Sequence, residues 1–333
     1  MRIGVAGVGR IGAFHARTLS SIDDIDTLVL ADTIPARAAD VAAELGAEQV
    51  PGPNDLFGAG IDGLVIGAAT DAHAALIIGA IDAGIPVFCE KPVAGDAAGT
   101  RAVLDKVRPS AVPVQIGFQR RFDAGFVAAR EAVAAGKLGW VHTLRATTLD
   151  PAPPTAEYVA RSGGLFRDCS VHDFDAIRWV TGHEVVEVYA VGANRGASFF
   201  RDVGDVDTAA ALLSLTDGSF AHVSATRYNA AGYDVRLEVL GSARSISVGL
   251  DEHLPLRSAE PGVSFPDGAP YPAFIQRFHS AYVAELTNFV AVVSGYAQPS
   301  CTVVDALEAF LIAEACELSR AEHRPARVDE VRA

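Results

Sequence analysis

Residues 2–12 read Arg-Ile-Gly-Val-Ala-Gly-Val-Gly-Arg-Ile-Gly, and this stretch decides the fold of the N-terminal half. Its β-branched and small residues predict a short strand, and a helix-like segment from Ile11 to Leu19 follows at once. The three glycines at its end have the Gly-x-Gly-x-x-Gly spacing of a dinucleotide-binding turn between a strand and a helix. The sequence therefore predicts that the chain begins with a nucleotide-binding unit.

Each glycine of the turn has a separate physical task. Gly7 allows the tight turn, Gly9 lets the backbone approach a pyrophosphate, and Gly12 lets the helix pack against the strand. The N–H groups at the start of the helix are donors to the same anion. Arg10 and Ile11 lie between these glycines, and we predict that all five residues bind the cofactor.

A second strand, Thr27 to Ala31, leads into an acidic residue, Asp32. It stands about 20 residues beyond the glycines, where dinucleotide-binding proteins place a carboxylate against the adenosine ribose hydroxyls. Such a carboxylate repels the 2′-phosphate of NADP, so the sequence predicts NAD. Two observations leave an alternative open: Asp32 could instead cap a helix before Pro35, and Arg37 could reach a phosphate.

Strand and helix signals continue to alternate as far as Gly117, which predicts a doubly wound parallel sheet, the Rossmann fold. The predicted elements are a strand at 63–68, a helix at 71–83, a strand at 86–89, a helix at 96–107 and a strand at 112–117. Ligands bind beyond the carboxyl ends of such strands. The residues that follow the strands are therefore candidates, namely Thr70, His73, Glu90 and Lys91 for the cofactor and Gln119 and Arg121 for the substrate.

Lysine usage points to one of these residues. Of the 27 basic residues only three are lysines, so arginine serves wherever a bare positive charge is enough. A lysine retained under that bias indicates a need for a compact ammonium group. Lys91 stands between Glu90 and Pro92, and the proline restricts the conformation of the lysine before it. An ammonium held on a rigid turn can stabilise a developing alkoxide, whereas the alternative is an exposed loop lysine.

A second candidate site lies at Ser162–Asp175, where two glycines lead into an apolar-periodic helix. Asp168 and His172 are four residues apart, which on a helix places both side chains on one face. A carboxylate that holds an imidazole is suited to removing a proton from an alcohol. The alternative is a solvated pair that only supports the helix.

The pattern of the chain changes after Asp123. Strand-like runs at 140–149, 184–194, 208–215, 219–228, 235–240 and 245–250 are joined by short connections, and Asp217-Gly218 is a hairpin signal. This arrangement predicts an α+β domain with a largely antiparallel open sheet. We therefore predict a dinucleotide-binding domain over residues 1–120 and a substrate-binding and oligomerisation domain over residues 121–333.

Composition excludes several classes of function. A net charge of −14 and a pI near 5.0 argue against nucleic acid as a partner. The sequence has neither an export signal nor a membrane-spanning apolar run, so we expect a cytoplasmic protein without a membrane partner. The four scattered cysteines have no metal-site spacing, and we expect reduced buried thiols and no metal.

Four stretches belong together: Gly-Val-Gly-Arg-Ile-Gly at 7–12, Glu-Lys-Pro at 90–92, Gly-Phe-Gln-Arg-Arg-Phe-Asp at 117–123 and Gly-Gly-Leu-Phe-Arg-Asp-Cys-Ser-Val-His-Asp-Phe-Asp at 163–175. In this combination the chain resembles the glucose-fructose oxidoreductase and inositol dehydrogenase superfamily over nearly its whole length. Within that superfamily it looks most like the inositol 2-dehydrogenases. The resemblance implies that Lys91, Asp168 and His172 form the catalytic triad.

The resemblance also implies an activity. The expected reaction is NAD-dependent oxidation of a ring hydroxyl of a cyclitol, first of all myo-inositol to 2-keto-myo-inositol, by a homo-oligomer (tetramer or dimer) in polyol catabolism. Two alternatives stay open. One is a related sugar or scyllo-inositol dehydrogenase or reductase that uses NAD(P), and the other is a non-catalytic nucleotide-binding sensor.

Two departures from the family pattern concern the substrate. Leu-Asp-Pro-Ala-Pro at 149–153 replaces a His-x-Asn-Pro segment common in inositol dehydrogenases, and this leaves Thr148 and Asp150 at the substrate wall. Gln119 occupies a position that is often apolar. Both changes are polar and fit a small polyhydroxylated substrate. We predict that it is bound by Gln119, Arg121, Asp150 and Tyr233.

Overall fold

The structure, a computed structural model, describes residues 1–332 and divides into two compact units. The first comprises Met1–Phe122 and Ser280–Leu307, and the second comprises Asp123–His279 and the chain from Glu308 onward. The sequence-based division at 120/121 kept residues 280–307 with the C-terminal half. In the structure these residues group with the N-terminal half instead.

A six-stranded parallel sheet forms the centre of the first unit, in the order β3-β2-β1-β4-β5-β6. This confirms the doubly wound Rossmann fold. The strands are β1 (Arg2–Ala6), β2 (Thr27–Ala31), β3 (Glu48–Gln49), β4 (Gly63–Ile66), β5 (Val87–Glu90) and β6 (Val114–Gly117). The helices between them are α1 (Arg10–Leu19), α2 (Pro35–Leu45), α3 (Thr70–Asp82) and α4 (Ala97–Val107), with 3₁₀ turns at Pro53–Gly58 and Gln119–Phe122.

The helix at His279–Val293 explains why residues 280–307 belong to the first unit. Three of its side chains, Leu286, Phe289 and Val290, are buried in the same apolar cluster as Ile3 of β1 and Phe88 of β5. Burial of apolar surface against the sheet is the dominant favourable contribution to such packing. The apolar periodicity of a helix indicates that it is buried, but not which core it joins.

The second unit contains a seven-stranded sheet in the order β12-β11-β7-β10-β9-β8-β13. Its strands are β7 (Val141–Leu149), β8 (Val185–Ala193), β9 (Thr208–Leu215), β10 (Phe220–Thr226), β11 (Asp234–Gly241), β12 (Ser245–Val248) and β13 (Ala326–Arg327). All neighbours are antiparallel except β7 and β10, which run parallel. The predicted largely antiparallel sheet is therefore confirmed, with one parallel pair inside it. Gly218, at φ +86°, makes the predicted hairpin turn between β9 and β10.

The remaining helices are α5 (Ala124–Ala134), α6 (Ala156–Val159), α7 (Val171–Thr181), α8 (Phe199–Asp202), α9 (Phe274–Arg277), α10 (His279–Val293) and α11 (Val303–Glu322), with a 3₁₀ turn at Val328–Val331. Residues 274–293 form two helices, α9 and α10, with Phe278 between them. The five residues Phe166–Ser170, directly before α7, are π-helical.

Two global expectations concern the membrane and the cysteines. Within residues 1–332 no helix combines the length and the hydropathy required to cross a bilayer. The four cysteines are buried and form no disulfide within those residues. Burial raises the pKa of the Cys89 and Cys316 thiols well above the ordinary value, which keeps these two thiols protonated.

Candidate active site

The glycine-rich turn between β1 and α1 has the close backbone contacts that its sequence predicts. Gly7 has φ +84°, and a Cβ built on it would lie 2.5 Å from the Cα of Ala68. A Cβ on Gly12 would lie 1.9 Å from the carbonyl oxygen of Gly7. A Cβ on Gly9 would meet no atom within 4 Å. Gly7 and Gly12 thus leave no room for a side chain, whereas the space beside Gly9 is open.

The first helix begins beside this open position. Gly9 is the N-cap of α1 and provides no side-chain cap, so the helix starts with main-chain N–H groups at the turn. Arg10 is exposed and Ile11 is half-buried at the first two helical positions. An open glycine at a helix N-terminus fits a pyrophosphate group.

Asp32 follows β2 at the same sheet edge, and its carboxylate is held against the glycine turn. Its Oδ2 accepts a hydrogen bond from the main-chain N of Val8 at 2.9 Å, and its Oδ1 accepts one from Ile34 N at 2.8 Å. The N-cap of α2 is Ile34, so Asp32 does not serve as the cap. Arg37 Nη1 approaches the two Asp32 carboxylate oxygens at 3.3 and 3.4 Å.

The turn that carries Lys91 is bound by two histidines. The Nε2 of fully buried His15, on α1, lies 2.7 Å from Glu90 Oε1. His73, in the first turns of α3, lies with Nδ1 2.7 Å from Pro92 O and with Nε2 3.0 Å from Ala68 O. Imidazoles from two different helices therefore fasten the residues on either side of Lys91.

The 3₁₀ turn after β6 contains the two predicted substrate residues of the first unit. Gln119 and Arg121 are both buried. Arg121 donates to the carbonyl oxygen of Ser300 at 2.6 Å and lies 3.1 Å from Asp305 Oδ1. Burial alone would raise the pKa of Asp305, but the Arg121 guanidinium and hydrogen bonds from Thr302 outweigh it and lower that pKa. The guanidinium of Arg121 thus binds the protein's own chain.

In the second unit, the parallel pair β7 and β10 brings two charged residues together. Leu149 is paired with Thr226, so the next residues, Asp150 and Arg227, emerge side by side at one sheet edge. Arg227 is only 3% exposed, and its Nη1 donates to Asp150 Oδ2 at 2.7 Å. Its Nη2 donates to Asp168 Oδ2 at 2.6 Å. One buried guanidinium therefore holds both acidic residues predicted for the site.

The electrostatics of this cluster follow from its burial. Burial alone would lower the pKa of Arg227, but the electrostatic influence of Cys169, Asp168 and Asp150 raises it. The Cys169 sulfur lies 2.8 Å from Nη1 of Arg227. The arginine is therefore a permanent positive charge.

Asp168 and His172 lie in different kinds of helix. Asp168 belongs to the π-helical turn, and His172 is the second residue of α7. The four-residue spacing therefore crosses the junction between a π-helical turn and an α-helix. Asp168 Oδ1 accepts a hydrogen bond from Tyr158 Oη at 3.0 Å, so Tyr158 and Arg227 each bind one oxygen of this carboxylate.

Two further predicted wall residues are buried. Thr148 Oγ1 lies 2.9 Å from both carboxylate oxygens of Asp173, which is fully buried on α7. Tyr233 precedes β11 and is 7% exposed, and its ring meets the Phe278 ring edge-on at 6.5 Å between centroids. Both residues therefore contribute to the packing of the second unit.

The predicted residues fall into two sets, one in each unit. The first unit brings together the glycine turn, Asp32 and the Glu90-Lys91-Pro92 turn, and the second brings together Asp150 and Asp168. Sequence reasoning missed Arg227, which binds both acids, and Tyr158, which binds Asp168. The sequence signal for Arg227 is a charged residue directly after a strand. The sequence does not show which strand pairs with that one, so it does not show which residues Arg227 contacts.

The first unit fits NAD as its cofactor. The open position at Gly9, the helix start beside it and the fixed carboxylate of Asp32 would hold the pyrophosphate and the adenosine ribose. Within residues 1–332, no group of three or more histidine, cysteine or acidic side chains is arranged to hold a metal ion.

Comparison with known families agrees with the fold. Residues 1–118 match the model of an oxidoreductase family with an NAD-binding Rossmann fold, and residues 126–247 match the GFO/IDH/MocA C-terminal domain.

Individual proteins extend the match to nearly the whole chain. The chain is 35% identical to myo-inositol 2-dehydrogenase of Thermotoga maritima, over 99% of each sequence. It is 34% identical to scyllo-inositol 2-dehydrogenase (NAD(+)) of Bacillus subtilis, over 100% of this chain and 98% of that one. Its structure is similar to that of Lactobacillus casei scyllo-inositol dehydrogenase with bound NAD(H) and scyllo-inositol, at a TM-score of 0.89, 30% identity and 99% coverage of both chains.

We expect the variant Gly9→Ala to weaken NAD binding without loss of stability. Its methyl group would meet no protein atom, but it would occupy the space that the pyrophosphate approaches. NAD titration followed by protein fluorescence should show at least a tenfold weaker Kd, about 1.4 kcal/mol, with an unchanged melting temperature.

The control is Gly58→Ala, whose methyl group also meets no atom within 4 Å, at a position away from the glycine turn. It should leave both quantities unchanged. A Gly9→Ala protein with wild-type NAD affinity would show that this turn does not bind the cofactor.

Proposed function

Since this chain belongs to the GFO/IDH/MocA oxidoreductase family and has its NAD-binding Rossmann fold, we propose that it oxidises one ring hydroxyl of an inositol. The first candidate reaction is myo-inositol to 2-keto-myo-inositol. The observation that carries the proposal is the match, over 98% or more of each sequence, to relatives named for myo- and scyllo-inositol. Scyllo-inositol is therefore the second candidate substrate.

The charged groups of the second unit suit a polyhydroxylated ring. Asp150 and Asp168 supply carboxylate oxygens, which are strong acceptors for hydroxyl groups. Both acids are held by contacts with Arg227 rather than left on mobile chains. Gln119 and Tyr233 remain proposed substrate residues, whereas Arg121 is left out because its guanidinium binds Ser300 and Asp305.

In the proposed mechanism the substrate alcohol loses a proton and a hydride. Bound NAD supplies the hydride acceptor. His172 accepts the hydroxyl proton as general base, and Asp168 orients His172. Lys91 stabilises the developing negative charge on the oxygen through its ammonium group.

A panel of substrates tests the activity directly. Purified protein with NAD should produce NADH absorbance at 340 nm with myo-inositol or scyllo-inositol, and at most weakly with glucose or xylose. Absorbance with a sugar alone would point to the related sugar dehydrogenases. Binding of NAD and inositol without any NADH would instead identify a nucleotide-binding sensor, and the proposed reaction would be wrong.

The variant His172→Ala tests the general base. We expect kcat to fall by about 10² to 10⁴-fold, because the hydroxyl proton loses its acceptor, while the Kd for NAD stays the same. The control is His183→Ala, which removes a half-exposed histidine just beyond the same helix. It should retain wild-type kcat. Near-normal turnover of His172→Ala would exclude His172 as the base.

One face of the seven-stranded sheet supports the proposal of a homo-oligomer. Tyr189, Leu212 and His222 lie side by side on β8, β9 and β10, and they line a concave, open surface. Tyr189, Val191, Leu212 and Phe220 are each more than 40% exposed. A cluster of large exposed apolar side chains on one face is typical of a surface that binds another protein. We propose that a second copy of the chain covers it, in a dimer or tetramer.

The variant Leu212→Glu should break this association, because it introduces a charge at the centre of the apolar face. Light scattering should give a multiple of the 34.7 kDa chain mass for the wild type and a smaller species for the variant. Val304→Glu changes an equally exposed aliphatic side chain in the first unit and should leave the mass unchanged. A wild-type mass equal to one chain would contradict the oligomer.

A cytoplasmic location and a role in polyol catabolism belong to the same proposal. NAD-dependent oxidation of a free cyclitol uses a cofactor pool that is shared by other dehydrogenases. The product would be a ketone on a polyhydroxylated ring, which a further enzyme must consume.

A further inference from the structure

We infer that Arg227 is a positioning residue, which fixes Asp150 and Asp168 as a pair of ionised acceptors for the substrate and its general base. The inference rests on the proposed function and assigns a role to a residue that the sequence did not single out. Its starting point is the parallel pairing of β7 with β10, which places Asp150 and Arg227 next to each other.

The contacts of Arg227 divide evenly between the two acids. Nη1 donates to Asp150 Oδ2 at 2.7 Å, and Nη2 donates to Asp168 Oδ2 at 2.6 Å. These distances are at the short end for charge-assisted hydrogen bonds. A planar guanidinium presents its two Nη groups in a fixed geometry, so the separation of the two carboxylates is set by the arginine.

Arg227 also offsets the like charges of the two acids. Two carboxylates lie against one guanidinium whose residue is 3% exposed, so little water screens their mutual repulsion. The guanidinium lies at hydrogen-bond distance from both acids and offsets that repulsion. Without Arg227, the proton affinity of every acidic or basic group nearby would rise.

The groups that share this environment come from several elements. The loop after β7 contributes Asp150, α6 contributes Tyr158, the π-helical turn contributes Asp168 and Cys169, and α7 contributes His172 and Asp173. Arg227 supplies the positive charge that contacts Asp150, Asp168 and Cys169. A change in that charge therefore acts on the whole group.

The two acids differ in how many of their carboxylate oxygens have a donor. Asp168 Oδ1 already accepts from Tyr158 Oη. In contrast, no donor within residues 1–332 binds Asp150 Oδ1, although the side chain is only 21% exposed. We assign this oxygen as the acceptor for a substrate hydroxyl. Arg227 then supports binding through Asp150 and proton removal through Asp168.

A purely structural ion pair is the competing explanation, and the chain offers a matched control for it. Arg178 is also buried, and it binds Glu184 through Nε at 2.6 Å and Nη2 at 2.7 Å. It lies in the same unit and contacts none of the proposed site residues in these bonds. The variant Arg178→Met removes the ion pair of a buried arginine whose partner, Glu184, is half-exposed.

The experiment compares Arg227→Met, Arg227→Lys and Arg178→Met with myo-inositol and scyllo-inositol as probes. For each variant, kcat, KM and the pH profile of kcat/KM are measured, together with the melting temperature and the Kd for NAD. For Arg227→Met we expect kcat/KM to fall at least 100-fold, with a higher KM as well as a lower kcat. The acid limb of its profile should move up by about 1 to 2 pH units, because the lost charge had favoured deprotonated neighbours.

Arg227→Lys keeps the charge but loses the two-pronged geometry. We expect its acid limb to stay within about 0.3 pH units of the wild type, while kcat/KM falls at least tenfold. This variant also carries the test if Arg227→Met does not fold. Arg178→Met should lower the melting temperature and leave kcat, KM, the pH profile and NAD affinity unchanged.

The inference is overturned if Arg227→Lys has wild-type kcat/KM, or if folded Arg227→Met keeps the wild-type acid limb and KM. It is also overturned if Arg178→Met changes the kinetic parameters to the same extent as Arg227→Met. These outcomes differ from failure of the proposed function, in which the wild-type protein itself oxidises neither inositol.

Discussion

The direction in which neighbouring strands run is the constraint on which both candidate half-sites depend. Parallel strands bring their carboxyl ends to one edge, and the residues that follow them meet there. In the first unit this rule gathers the glycine turn, Asp32 and the Lys91 turn at one edge of a fully parallel sheet. In the second unit the rule applies to a single pair, β7 and β10, in an otherwise antiparallel sheet. That pair is enough to join Asp150 to Arg227.

Sequence alone predicted features whose signals are local. The glycine spacing, the Glu-Lys-Pro turn and the Asp217-Gly218 hairpin each depend on residues close together in the chain, and the alternation of strands and helices gave the Rossmann fold. What could not be predicted depends on partners distant in sequence. Arg227 follows a strand whose neighbour is about 80 residues earlier, and nothing in the local pattern names β7 as that neighbour. Residues 280–307 have ordinary core periodicity, which shows burial without showing against which sheet.

The π-helical turn before α7 shows a different limit. Counting four residues from Asp168 to His172 assumes α-helical geometry, and a sequence pattern does not distinguish one wide turn from a regular one. Rare π-helical turns occur often at functional sites, because they redirect side chains without ending the helix. Here the wide turn carries Asp168 and Cys169, both of which contact Arg227. His15 and His73 likewise depend on partners distant in sequence, since they contact residues of other elements.

The outermost strands of the two sheets have a consequence for how copies of this protein can meet. Each sheet ends on one side in a strand of two residues, β3 in the first unit and β13 in the second. Such a short edge strand has few main-chain donors and acceptors with which a strand of another molecule could pair. In addition, β3 contains the charged residue Glu48 and β13 contains Arg327. Growth of either sheet into a neighbouring molecule at these borders is therefore disfavoured. Self-assembly is directed away from strand addition, and so from the route that leads to fibrils.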